Sequence, residues 1–253
     1  MKIRSEGIKV GDKVEIEGDN ISRVFPRKNY IERLNAANID CVNVVISPFP
    51  KPDFLLVDKM IALSVRSGCE VIVTVNKTDV DDGLSRYVSE NYLKAVDRIF
   101  YVSAKEKSGI DELKDYLKGK LVVFAGQSAV GKTSIMNEIF SLNEQTNGLS
   151  EKTGRGKHTT TRRKITVQGD FAAVDTPGFS SVNLTDIPSD SLSNFYKDFT
   201  ECNGRCYYIG CTHTNEPDCL IKAAVENGSI SSERYLRYLA LYKEIKEYEK
   251  RKY

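Results

Sequence analysis

The stretch LVVFAGQSAVGKTSIMNEIF, Leu121 to Phe140, joins an apolar run of strand length, a loop flanked by glycines and a helical pattern in direct succession. Within it, Gly126-Gln-Ser-Ala-Val-Gly131-Lys132-Thr133 satisfies the pattern G-x-x-x-x-G-K-S/T in the strand, loop and helix setting that this pattern needs. The glycines let backbone N–H groups curl around a β-phosphate. Lys132 reaches the β and γ oxygens, and the Thr133 hydroxyl offers a ligand to Mg²⁺. The run Gly126, Gln127, Ser128, Ala129, Val130, Gly131, Lys132, Thr133 and Ser134 is therefore expected to bind nucleotide.

Upstream, VIVTVNKTD (Val71 to Asp79) reads as a buried strand ending in Asn76-Lys77-Thr78-Asp79. The Asp79 carboxylate can accept from both the ring N–H and the exocyclic amine of guanine. Adenine offers no such pair, so the same carboxylate would be left unpaired against it. Lys77 can lie along the base, and Asn76 can tie neighbouring loops together. After the next strand come Ser103-Ala104-Lys105, where the Ala104 N–H is expected to face the guanine carbonyl. Downstream, Asp175-Thr-Pro-Gly178 follows the strand FAAVD. Asp175 is expected on the Mg²⁺ side and the Gly178 N–H at the γ-phosphate.

Four elements thus fall at the carboxyl ends of predicted strands, where ligands bind in open α/β sheets. In ordinary GTPases the phosphate loop precedes the guanine reader, whereas here it follows. Joining neighbouring termini and cutting elsewhere preserves every strand position, so the order reads as a circular permutation.

Between the phosphate loop and Asp175 lies GRGKHTTTRRK, where a switch belongs. One hydroxyl among Thr159, Thr160 and Thr161, assigned here to Thr160, is expected to complete the Mg²⁺ shell with Thr133 and Asp175. His158 is either a solvated loop residue or a catalytic group. Phe179 follows Gly178 where many GTPases place a glutamine that orients water, and an apolar ring cannot do that. Slow intrinsic hydrolysis follows, helped by His158 or by a partner, with Lys132 on the phosphates.

The C-terminal part contains Cys206-x4-Cys211-x-His213-x5-Cys219. Three thiolates and an imidazole suit a closed tetrahedral Zn²⁺ site, in a segment with little apolar content to hold itself together. Cys202 could substitute as a ligand but is expected to be free, and Cys41 and Cys69 sit in core-like contexts. In the last helical stretch Leu236, Leu239, Tyr242 and Ile245 form a packing stripe.

The chain of 253 residues, 40% hydrophobic, is long enough for a full domain with small appendages. No apolar run approaches the roughly 20 residues that span a bilayer, and MKIRSEGIKV lacks the apolar core of a signal peptide, so a cytoplasmic chain without membrane contact is expected. A net charge of +2 restricts nucleic-acid affinity to local patches, of which Glu151 to Lys164 is the most basic. From Asn38 strands alternate with helices, which predicts a parallel sheet covered on both faces. The first 36 residues read as two or three antiparallel strands. Residues 37–183 are expected to form the GTPase domain and 184–253 the zinc-binding end.

The order NKTD, SAK, GQSAVGKTS, HTTT, DTPGF and C-x4-C-x-H-x5-C, with VGDKVEIE and RKNYIERLNAANID upstream, closely resembles the RsgA (YjeQ/EngC) family of GTPases. The resemblance runs from about Gly11 to the C-terminus. It implies an α/β fold in which a circularly permuted P-loop GTPase domain follows an OB-like β piece and precedes a small zinc-binding helical domain. It further implies GTP/GDP, Mg²⁺ and one Zn²⁺, a monomer acting late in small-subunit ribosome assembly on ribosomal RNA, and hydrolysis stimulated by the ribosomal particle through His158. Measured against that family the OB-like piece is partial, which shifts the expected RNA contact toward the basic switch segment and the zinc-binding end. Two other readings compete. One is a nucleotide-gated RNA-binding module with incidental hydrolysis, and the other is a P-loop ATPase or kinase in which NKTD is fortuitous.

Overall fold

The structure is a computed structural model that describes residues 7–32, 36–81, 83–140, 164–168, 171–175, 182–200 and 206–252. Near the N-terminus, β1 (Val14–Glu17) and β2 (Asn20–Val24) form an antiparallel hairpin with a bulge between Glu15 and Ile16. A second antiparallel pair follows, β3 (Tyr30–Ile31) with β4 (Ala36–Ala37). The bidentate pair of Arg27 with Asp12 and the bond from the Lys9 N–H to the same carboxylate, at 2.7 Å, tie this β piece to itself.

The chain then enters a six-stranded sheet. Its members are β5 (Cys41–Ile46), β6 (Glu70–Val75), β7 (Arg98–Tyr101), β8 (Leu121–Ala125), β9 (Lys164–Gln168) and β10 (Phe171–Asp175). The spatial order is β7-β6-β5-β8-β10-β9, parallel throughout except for the antiparallel edge strand β9. From β5 the chain therefore winds outward to β7, then crosses back over β5 to lay down β8.

Both faces of the central strands are buried, which is why they read as unbroken apolar runs. On one face Val42, Val44, Ile46, Val71, Val73 and Val75 pack under α1 (Phe54–Arg66) and α2 (Leu84–Tyr92). On the other, Cys41, Val45, Ile72, Val122 and Phe124 pack under α3 (Ile110–Leu117) and α4 (Lys132–Phe140). Cys41 and Cys69 are buried as core residues, and burial raises both thiols, Cys69 to about 11.

Helix α2 starts earlier than the stretch SENYLKAVD predicts. The Asp81 carboxylate accepts from the Gly83, Leu84 and Ser85 N–H groups and so nucleates the first turn at Leu84.

The C-terminal part packs on α1. It contains a 3₁₀ segment over Ser189–Phe195, then α5 (Lys197–Thr200), α6 (Leu220–Glu226) and α7 (Ser232–Arg251). The buried stripe of α7 is Arg234, Tyr238, Leu241 and Ile245, whereas the predicted Leu236 is 63% exposed and Leu239 and Tyr242 lie only at the margin. The stripe is rotated because a charged residue heads it. Arg234, fully buried, donates through Nε to Asp198 at 2.8 Å and through Nη1 to Asp58 of α1, and its guanidinium lies over the rings of Tyr92 and Tyr196. Arg237 donates to the other Asp58 oxygen at 2.5 Å. Burial pushes the Asp58 carboxyl above its ordinary range, and the guanidiniums of Arg234 and Arg237 oppose that rise. Lys59–Glu244, Arg66–Asp186 and Lys197–Asp97 extend the same contact at its rim. Among the described residues no helix is long and apolar enough to cross a membrane.

Candidate functional site

Three parallel strands, two on one side of β5 and one on the other, deliver loops to one edge of the sheet. β8 runs into Gly126 and the start of α4, β6 into Asn76–Asp79, and β7 into Ser103–Lys105. The turn after β8 needs glycine. Gly126 has φ +133° and a Cβ on it would lie 2.2 Å from the Val45 carbonyl, while a Cβ on Gly131 (φ +96°) would lie 2.1 Å from Asn76 Nδ2.

Asn76 bolts the loops together. Its Nδ2 donates to the Val130 carbonyl at 2.9 Å, and its Oδ1 accepts from the Ala104 N–H at 3.1 Å. That N–H is the donor expected to face guanine. The structure engages it with Asn76 instead, because a buried amide oxygen must find a donor.

Lys77, at φ +64°, donates from Nζ to the Phe49 carbonyl at 2.5 Å and to the Ala129 carbonyl at 2.8 Å, so its side chain bridges two loops. The Thr78 N–H donates to the Val102 carbonyl at 3.2 Å. Asp79 Oδ1 accepts from Ser103 Oγ at 2.7 Å, and Lys105 Nζ stands 3.7 Å from Oδ2. The Ser103 hydroxyl holds the Asp79 carboxyl below the usual carboxylate range, so it is an acceptor at neutral pH.

In the phosphate loop, Lys132 Nζ donates to the Gly126 and Gln127 carbonyls at 2.8 and 2.6 Å, folded across the loop's mouth. Ser128, Ala129 and Thr133 are exposed and Ser134 is half-buried. The Gln127 side chain turns away from the loop. Its Oε1 accepts from the Asp53 N–H at 3.0 Å, and the Asp53 carboxylate in turn caps α1 through the Leu56 N–H at 3.0 Å.

Asp175 ends β10 opposite Lys164, on the same sheet edge by strand direction. Gly178, Phe179, His158, Thr159, Thr160, Thr161 and Cys202 lie outside the described residues.

Sequence reasoning missed the loop after β5. ISPFPKPDF (Ile46 to Phe54) carries the carbonyl that holds Lys77 and the N–H that holds Gln127. The signal was its position at the carboxyl end of a parallel strand.

Away from the sheet, Cys206, Cys211, His213 and Cys219 bring their ligand atoms within 4.8 Å of one another. The sulfurs stand 3.7, 3.4 and 3.3 Å from His213 Nδ1. A tetrahedron with Zn–S and Zn–N bonds of the usual length has nitrogen–sulfur edges of about 3.5 Å, so the donor set and its spacing fit Zn²⁺. His213 is buried and held neutral, as a ligand must be. Burial pushes the Cys211 thiol up to about 12, which only a cation in the cluster would reverse. The loop is braced from α7 by Tyr235 and Tyr238, whose hydroxyls donate to the His213 and Thr212 carbonyls at 2.8 and 2.6 Å. Glu216 accepts from Thr212 and Thr214, which holds its carboxyl down at about 2.

A phosphate loop, an Asn-Lys-x-Asp loop and a Ser-Ala-Lys loop on one edge of a parallel sheet, with the guanine reader earlier in the chain, define a circularly permuted P-loop GTPase. The chain belongs to the RsgA GTPase family, whose model matches residues 24–185. It is 40% identical over 258 residues to the small ribosomal subunit biogenesis GTPase RsgA of Caldanaerobacter subterraneus, covering 96% of this chain and 85% of that one. To the protein of the same name from Thermotoga petrophila it is 37% identical, covering 96% and 86%. Two solved structures share the fold. YjeQ from Thermotoga maritima superposes with a TM-score of 0.79 at 34% identity, covering 94% of this chain and 84% of that one. YloQ, described as a circularly permuted GTPase, gives 0.78 at 26% identity, covering 97% and 84%.

Proposed function

We propose that this GTPase is a late assembly factor of the small ribosomal subunit, whose GTP form grips the particle and whose hydrolysis releases it. The carrying observation is the joined nucleotide edge, where Asn76 locks the phosphate loop to the base-reading loops, taken with relatives named for small-subunit biogenesis. The chain works in the cytoplasm as a monomer that touches ribosomal RNA. It divides into a β piece (1–36), the GTPase domain (37–183) and a zinc-binding end (184–253).

In this reading the Gly126–Ser134 backbone and Lys132 hold the phosphates, with Lys132 leaving its own loop carbonyls to do so. Asp79, held ionised by Ser103, accepts from guanine, with Lys77 and Lys105 beside the base. Thr133, Asp175 and Thr160 would hold Mg²⁺, which supplies charge neutralisation on the phosphates. Gly178 meets the γ-phosphate, and His158 orients the attacking water once the ribosomal particle has placed it. Cys206, Cys211, His213 and Cys219 would hold Zn²⁺, which supplies a structural cross-link.

The test is phosphate release from GTP and from ATP, with and without purified small subunits. Turnover of GTP alone, raised many-fold by the particle and lost in His158→Ala with nucleotide affinity intact, supports the reading. Turnover unaffected by the particle refutes it.

A further inference from the structure

Lys77 is a poor candidate to hold itself in place. It is half-buried in a left-handed conformation, and its four-carbon stem is flexible. What fixes its ammonium is a pair of carbonyls, Ala129 from the phosphate loop and Phe49 from the loop after β5. The Phe49 carbonyl is itself aimed by Ser47. This serine, fully buried, donates from Oγ to the Phe49 oxygen at 2.8 Å, so one oxygen accepts from a buried hydroxyl and an ammonium together. The far end of the same loop is anchored by Gln127 on the Asp53 N–H. An ammonium has three donor hydrogens, and the two carbonyls engage two of them.

We infer that Ser47 is a positioning residue for guanine-nucleotide recognition: through the Phe49 carbonyl it sets the Lys77 ammonium against the nucleotide, before any nucleotide arrives. The inference rests on the nucleotide site described above and extends it to a residue that never touches the ligand. Without the hydroxyl, the Phe49 carbonyl is free to turn and Lys77 keeps only its Ala129 partner, so ordering the ammonium must be accomplished on binding. Because this acts on binding and not on the reacting phosphate, the effect belongs in Kd and KM.

The experiment titrates the full zinc-loaded chain with fluorescent N-methylanthraniloyl-GDP and follows steady-state GTP turnover. Loss of one neutral hydrogen bond predicts that Ser47→Ala weakens the probe roughly five- to tenfold and raises KM by a similar factor. Ser47→Thr, which keeps the hydroxyl, should bind like the parent. In a Lys77→Met background, Ser47→Ala should add less than about twofold, because the group it positions is gone. Undiminished affinity in Ser47→Ala, or a full extra loss in the Lys77→Met background, overturns the inference while leaving the nucleotide site standing. A parent chain that fails to bind the probe overturns both.

Discussion

Asp58→Asn is the sharpest test of how the nucleotide domain and the C-terminal helices are held together. The wild-type carboxylate is completely buried on α1 and receives one guanidinium on each oxygen, Arg234 and Arg237 of α7. The substitution keeps the shape and removes the charge. Arg234, 1% exposed, is then left with Asp198 alone, and Arg237 loses its charged partner in α1. Breaking a buried pair by removing one partner costs about 3–5 kcal/mol, because the remaining charge stays desolvated. For a chain of this size that is a fall in Tm of about 6–20 °C. The assay is thermal unfolding in zinc-containing buffer, followed by far-UV circular dichroism and by the near-UV tyrosine signal. The chain has thirteen tyrosines and no tryptophan, and Tyr92, Tyr196 and Tyr238 gather around this pair. A shift below 2 °C would refute the reasoning, since it would mean that water reaches the guanidiniums or that the charges contribute nothing to docking.

Three further outcomes are expected. Asp79→Asn replaces an ionised acceptor, so GTP affinity should fall roughly ten- to a hundredfold in competition titrations, with ATP binding no better than before. Cys211→Ser should lower bound zinc below one ion per chain by elemental analysis, and chelation of the parent should lower its Tm, because the cluster replaces apolar packing in that segment. The Asp12 carboxyl is held below its ordinary range chiefly by Arg27. Its contribution is complete above the unfolded-state value and is lost as pH falls through the lowered folded value. Protection of the β1–β2 hairpin against hydrogen exchange should therefore drop in acid, and Asp12→Asn should flatten that slope.

The parallel sheet and its permuted order were legible because both rest on local patterns: unbroken apolar runs such as EVIVTV, and motifs that sit at strand ends by construction. The Cys₃His cluster was legible for the same reason, as its ligands fall within fourteen residues. What escaped was long-range pairing. Nothing in SERYLRYLALYK announces that Arg234 is interior, since its partner Asp58 lies 176 residues away, and an amphipathic reading assigns arginine to water by default. The Ala104 N–H was misdirected for a related reason, because the demand of a buried Asn76 is visible only once burial is known. Ser47 went unnoticed because a serine beside prolines reads as loop chemistry, and its role depends on a carbonyl two residues on.

The strand order also sets a timetable for biosynthesis. As the chain leaves the ribosome, β5, β6 and β7 are complete, with the guanine-reading loops attached, before β8 exists. Until then β5 presents a bare apolar edge, because its second neighbour in the finished sheet is β8. The Asn-Lys-x-Asp loop is thus translated first and the phosphate loop second, so the two loops that Asn76 joins can meet only once the phosphate loop has emerged. The same residue order leaves the newborn domain dependent on prompt arrival of its central strand, or on a chaperone that covers the edge meanwhile.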